Sequence, residues 1–393
     1  MPPVTRPAVT VPDVGVEPAW RRLPSHISEL DGIRAIAIWM VLALHTFIPD
    51  DESSRALAHW PKLLLLILGH GWLGVDLFFV LSGFLITGIL LDGRNDPHYI
   101  RNFYSRRALR ILPVYFICLA VMAYFYPGYS SYFWLSLLFM ANTAGPVFHI
   151  AVPHGPGVFW SLAVEEHFYF VWPWLVRILS RRTLTMVCAA LMVFEPVLRA
   201  VYAAREVDIY PLSWFRFDAL ASGALLAIWF RSSLASKRRS LQLAGAYLLT
   251  MIVITVAALP FGVLSKTVAG LALRGTQAML IFNAVMLVAI ACRSTKLTAP
   301  LRSRFARFSA DLSYCLYLIH LSIFDGYMAL FRRYVSRPVT VWDILFRVAV
   351  VLTISYILAL LSRHFLELPV LSLKRFLTDS SAPKKQPAAY SSS

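Results

Sequence analysis

Charge is what this chain has least of. Asp, Glu, Lys and Arg make up 15% of its 393 residues, where soluble domains run near a quarter charged. Apolar residues fill 58% and the mean hydropathy is +0.64. Such a chain is too apolar for a soluble surface and leaves little room for a separate soluble domain. Cys118, Cys188, Cys292 and Cys315 fall inside apolar runs with no CxxC or Cys/His spacing. That argues against both a metal site and a disulfide framework. The Pro-rich first 28 residues lack an apolar core followed by a small-residue cleavage site, so no cleaved signal peptide is expected. No internal repeat is evident.

What is present is a series of apolar runs near the 20 or so residues that a spanning helix needs. They lie at about 33–49, 72–91, 109–126, 159–178, 183–203, 213–230, 241–260, 269–292, 310–331 and 341–363. Aromatic residues, at 14%, suit the two water–lipid boundaries. Segments 63–68 (LLLLIL) and 132–150 are apolar but ambiguous, the second being followed by Pro153, Gly155, Pro156 and Gly157.

The net charge of +16 would suggest nucleic acid in a soluble protein. Here the basic residues lie in short tracts between apolar runs, the pattern of the positive-inside rule. With the N-terminus in the cytoplasm, Asp50, Asp51 and Glu52 fall outside and the arginines of 93–107 inside. If 132–150 does not cross, Arg181–Arg182, 231–239, 293–307 and Lys374–Arg375 also fall inside. The rule therefore favours an all-α integral membrane bundle of about ten helices, with a re-entrant 132–150 segment and both termini cytoplasmic. One tract disagrees, since Arg332, Arg333 and Arg337 land outside. The expected organisation is a disordered N-terminus 1–26, a membrane domain 27–367 and a disordered cytoplasmic tail 368–393.

Several charged residues lie where lipid would be. Arg34 and His45 are eleven residues apart in the first span, which returns to within about 20° of one face and about 16 Å along the axis. Together on one stripe they call for a cavity, because facing lipid is costly. The bland alternative is a boundary Arg and a structural His. Asp76, near the outer end of the second span, could orient that imidazole or bond a helix end. Arg106, Arg107 and Arg110 open the third span. Arg106 and Arg110 are i and i+4 and share a face, and grouped arginines suit phosphate. Glu165 and Glu166 are adjacent in an aromatic-rich span, which is costly unless one is protonated or both face a cation. A carboxylate and an imidazole in one cavity could do acid–base work. Arg216 and Asp218 could pair with each other. His320 suits a core histidine at least as well as a site, and for Glu367, before Pro369, the structural reading is favoured.

The motifs LDGIRAIAIWMVLALHTF, GVDLFFVLSGFLIT, YSRRALRILP, WSLAVEEHFYF, FDALASGALLA and SYCLYLIH stand in this order over about residues 27–367. On them the chain resembles acyltransferase family 3 of membrane proteins. The resemblance implies transfer of an acyl group, commonly acetyl, from cytoplasmic acyl-CoA to a hydroxyl of a glycan, lipid-linked sugar or secondary metabolite. It implies a cell (inner) membrane location and no tightly bound cofactor or metal. It matches Arg34 and His45 to the family's first-span Arg and His, and Arg106 to Arg110 to its arginine motif. Arg34, Arg106, Arg107 and Arg110 are the expected acyl-CoA-binding residues, and His45, Glu165 and Glu166 the expected catalytic ones. The family often carries an extra extracytoplasmic esterase-like domain, for which this chain is too short. The rival reading is a proton-coupled transporter or flippase, to which intramembrane Arg, His and Glu are equally suited.

Overall fold

The computed structural model describes residues 23–374 apart from 25, 49–50, 206–208, 264–266 and 336, with the backbone alone at 51, 52 and 54. Regular structure among the described residues is all helical. In chain order come α1 (Ser28–Phe47), the short α2 (Asp51–Ala56) and α3 (Lys62–Gly69), α4 (Leu73–Asp92), α5 (Tyr99–Phe125), the short α6 (Ser130–Leu137), α7 (Phe159–Ile178), α8 (Arg181–Ala203), α9 (Phe217–Phe230), α10 (Lys237–Ala258), α11 (Val268–Ala291), α12 (Arg304–Tyr334), α13 (Val341–Ser362) and α14 (Leu368–Ser372). Most of segments 1–26 and 368–393 lies outside the described residues.

Among the described residues eight helices, α1, α4, α5, α8, α10, α11, α12 and α13, are long and apolar enough to cross a membrane, and the chain is a multi-pass membrane protein. The other two expected spans, α7 and α9, complete the bundle without meeting that measure. Helix α7 carries Glu165, Glu166 and Arg177. Helix α9 has 14 residues, about 21 Å, and is buried along most of its length.

The helix ends follow local chemistry. Ser180, Ser236, Thr267 and Ser303 each accept the backbone N–H three residues on, starting α8, α10, α11 and α12. Thr340 and Asp343 form a capping box on α13. Pro173 inside α7 lacks the N–H that would bond the Tyr169 carbonyl. The Tyr104 hydroxyl donates there instead, at 3.1 Å, and to the Phe170 carbonyl at 2.9 Å. A repair to one helix thus ties α5 to α7. Helices α4 and α9 cross closely because Gly83 lies against the Leu220 carbonyl and Gly223 against that of Val80.

Segment 132–150 folds as most of α6, a 3₁₀ turn at Ala141–Thr143 and a loop. Eight residues of helix reach about 12 Å, too short to cross. Segment 63–68 lies in α3, equally short, with Leu63, Leu66 and Ile67 exposed. The basic tracts on either side of 132–150 meet at one end of the bundle. Arg94 donates to the Leu179 carbonyl at 2.7 Å and Arg181 to the Arg231 carbonyl at 3.0 Å. The discordant tract is partly neutralised, because Arg337 makes a bidentate pair with Asp343 at 2.6 and 2.9 Å.

Candidate active site

Helix α1 carries both members of the Arg/His stripe, packed against α12 and α4. Its C-terminal end, just past His45, is clamped by the buried Arg347, which donates to the Thr46 and Phe47 carbonyls at 3.0 and 3.4 Å. A cation on terminal carbonyls is the favourable sense of the helix dipole. Arg34 opens into a cavity of about 620 Å³ between α1, α4, α5, α7 and α12. At the end where α4 and α9 finish it is lined by His26, Asp92, Arg231 and Arg363, along its length by Phe78, Phe79 and Leu85, and at the inner end, midway along α12, by Ser161 and Tyr317.

Three arginines line one flank. Arg34 touches Asp31 at 3.3 Å. Arg107 lies over the Tyr169 ring at 3.8 Å, meets Glu165 at 3.2 Å and Glu166 at 3.7 Å. Tyr169 is held in turn by a hydrogen bond with Ser82. Arg110 lines the same cavity, is exposed, and has no hydrogen bond or ion pair among the described residues. Arg106 is also exposed but lines no part of the cavity. The face that α5 turns inward is thus that of Arg107 and Arg110, i and i+3, rather than that of Arg106 and Arg110. Of the carboxylate pair, Glu165 lines the cavity, while Oε1 of Glu166 is buried without a hydrogen-bond partner. A π-turn after α13 turns Arg363 and Glu367 to the cavity, where Arg363 reaches Asp311 at 3.7 Å and Glu367 at 3.8 Å.

Beyond the inner end lies a pair of histidines. Ser161 and Tyr317 hydrogen-bond at 2.6 Å, and the Tyr317 ring is 6.0 Å from that of His320. His320 Nε2 stands 3.0 Å from His45 Nδ1. Among the described residues no hydrogen bond or ion pair joins His45 to Glu165, Glu166 or Asp76. Nearby, Asp325 of α12 accepts from His154 at 2.6 Å, the Gly155 N–H at 2.8 Å and the Tyr126 hydroxyl at 2.9 Å. The hydrogen bond to Asp325 raises the pKa of His154 above the usual histidine value.

Asp76, Glu195, Arg199, Arg216 and Asp218 pair with one another away from this cavity. Asp76 accepts from Arg216 at 2.9 Å, and Asp218 from Arg199 at 2.7 Å. Glu195 accepts the Asp218 N–H at 2.9 Å. Arg216 and Asp218 therefore do not pair with each other. Residues i and i+2 do not share a helix face, and each finds its partner on another helix. Asp76 serves Arg216 and leaves His45 alone. Three cavity or histidine-end residues carried little signal in the sequence: Arg363, at the very end of the last apolar run, Asp311, and His320, which suits a core histidine at least as well as a site. The sign that could have found Arg363 is its i, i+4 spacing to Glu367.

Residues 27–360 match a family model described as an acyltransferase domain. The chain is 25% identical over 375 residues to the peptidoglycan O-acetyltransferase OatA of Listeria monocytogenes, covering 88% of this chain and 56% of that one. It is 27% identical over 380 residues to the Bacillus subtilis protein YrhL, covering 88% and 55%. It is 29% identical over 185 residues to the O-acetyltransferase OatA of Staphylococcus aureus, covering 40% and 26%. The chain thus spans about half the length, or less, of these curated relatives. No solved structure matches it.

Proposed function

The chain belongs to this membrane acyltransferase family, and from that premise we propose that it is an O-acyltransferase that moves an acetyl group from cytoplasmic acyl-CoA to a hydroxyl of a surface glycan or lipid-linked sugar. The observation that carries the proposal is one helix face with a phosphate-suited cavity at one end and a histidine pair at the other. Arg34, Arg107 and Arg110 supply guanidinium forks suited to the CoA phosphates. The basic rim of Arg94, Arg181 and Arg231 faces the cytoplasm in this reading. The pantetheine arm follows the apolar wall past Phe78 and Phe79 to Ser161 and Tyr317, and the thioester passes that pair to reach His45. His45 takes the proton of the acceptor hydroxyl as its oxygen attacks the thioester carbonyl. The C–O bond forms, the C–S bond breaks, and the proton leaves with the CoA thiol. Glu165 belongs to the donor site in this reading, as the counter-charge of Arg107. The relatives named as peptidoglycan O-acetyltransferases support a cell-wall glycan as acceptor.

The test is release of CoA thiol by the purified protein in nanodiscs, with acetyl-CoA and hydroxyl acceptors. His45→Ala should lower turnover by about 10²–10⁴ while acetyl-CoA binding survives, because the arginines lie at the other end of the span. His45→Gln keeps polarity without basicity and should be nearly as slow. A well-folded His45→Gln protein with full turnover would remove His45 from the mechanism. Acetyl-CoA-independent transport with no thiol release would favour the carrier.

A further inference from the structure

We propose that His320 is a positioning residue that fixes the tautomer of His45, placing the proton on His45 Nδ1 and the lone pair on Nε2. The use of that lone pair rests on the acyl-transfer reading above; the tautomer follows from the hydrogen bonds alone. His320 is fully buried in the middle of α12. Its Nδ1 lies 2.8 Å from the Tyr317 carbonyl and 3.2 Å from that of Leu316. Carbonyl oxygens only accept, so Nδ1 carries the hydrogen, and in the neutral ring Nε2 is left as an acceptor. That Nε2 is the atom 3.0 Å from His45 Nδ1. The hydrogen between the two rings must therefore come from His45.

The hydrogen bond to His320 thus holds the proton on Nδ1, the ring nitrogen nearer the helix backbone. The free lone pair is then on Nε2, which projects from the helix and is the nitrogen able to meet a substrate hydroxyl. The neutral histidine side chain in water prefers the opposite, Nε2–H tautomer, so the device has something to overcome. When Nε2 takes the hydroxyl proton, the Nδ1–H to His320 stays in place and its acceptor steadies the imidazolium. The orienting carboxylate of a serine-protease triad plays the corresponding part; here the acceptor is neutral.

The experiment is ¹⁵N solid-state NMR of the histidine-labelled full chain in lipid bilayers, beside steady-state kinetics with acetyl-CoA. His45→Ala and His320→Ala assign the two rings. Wild-type His45 should read as Nδ1–H. In His320→Leu it should revert toward Nε2–H, with kcat down about 10²-fold and the KM for acetyl-CoA unchanged within about twofold. The amide oxygen of His320→Gln can stand near the lost Nε2, so this variant should recover part of both the tautomer and the rate. A residue that merely packs would shift expression and thermal midpoint and leave the tautomer alone. An Nε2–H signal from wild-type His45, a doubly protonated His320, or a folded His320→Leu protein with unchanged kcat would each overturn the proposal. The tautomer measurement needs no substrate. An Nδ1–H His45 in a protein that releases no CoA thiol would uphold the positioning and sink only the acyl-transfer reading.

Discussion

Arg199 and Arg110 both sit inside the bundle, and they are held in opposite ways. Arg199 is buried and donates to the carbonyls of Ala272 and Phe215, to Asp218 and to Thr276, all within 3.0 Å. Arg110 lines a cavity, is exposed, and has no partner among the described residues. Intramembrane charge alone is therefore a poor guide to function in this chain. The arginines bonded into the fold, Arg199 and Arg216, tie α4, α8, α9 and α11 together, whereas Arg110 has its donors left over for a ligand. If that contrast is right, removing the first kind should break the protein and removing the second kind should empty a site.

The largest effect is expected from Arg199→Ala. Taking one partner out of a buried pair strands the other, at a cost of about 3–5 kcal/mol. Asp218 would lose its cation, and Glu195 already crowds the same spot. The measurement is expressed yield and thermal midpoint in detergent. An Arg199→Ala protein as stable as wild type would dissolve the distinction between the two regions.

Arg110→Ala should show the reverse pattern. Its thermal midpoint should stay put, since no described residue is bonded to it. Affinity for acetyl-CoA should fall about 10- to 100-fold, as expected for loss of hydrogen bonds to a charged group at about 1.5–3 kcal/mol. Arg110→Lys should recover only part, because an ammonium is a point charge and not a planar fork. Calorimetry of acetyl-CoA binding decides; unchanged affinity in the alanine variant would take Arg110 out of the donor site.

The carboxylate pair tests the comparison on a finer scale. Glu165 hydrogen-bonds Arg107 and faces the cavity, whereas Glu166 is looser, at 3.7 Å. Glu165→Gln removes an anion from beside the phosphate-holding flank and should tighten acetyl-CoA binding several-fold, by about 0.5–1 kcal/mol. Glu166→Gln should change binding less. Equal shifts in the two variants would mean that the cavity does not distinguish them.

The parts of this arrangement that lie on one helix were legible in the sequence. Arg34 and His45 share a stripe because helical periodicity puts them there, and α1 keeps that periodicity from Ser28 to Phe47. The arginines of α5 were legible as a group, but which two face inward depends on how α5 is rotated against α7, a packing outcome. The partners of His45, Asp76 and Asp218 were not legible. Each lies on another helix, and His320 stands 275 positions from His45, beyond any spacing rule. Adjacency misled at Arg216 and Asp218, where nearness in sequence points the side chains apart.

The smallest effect should come from outside the bundle, where His154 ties its loop to Asp325. The hydrogen bond raises the His154 pKa in the folded protein. A raised histidine contributes its stabilisation fully below the unfolded value, about 6.5, and loses it as pH climbs through the raised folded value. The His154 side chain is 55% exposed, so screening keeps the contribution to about 1 kcal/mol or less. Gly155 and Tyr126 hold the same carboxylate at every pH, so the loop should stay docked when the imidazolium is lost. The thermal midpoint of wild type should therefore exceed that of His154→Ala by a small margin near about pH 6, and the margin should vanish on the alkaline side. A margin that grows with pH would mean that His154 acts there as a neutral ring, and the ion pair with Asp325 would have to be abandoned.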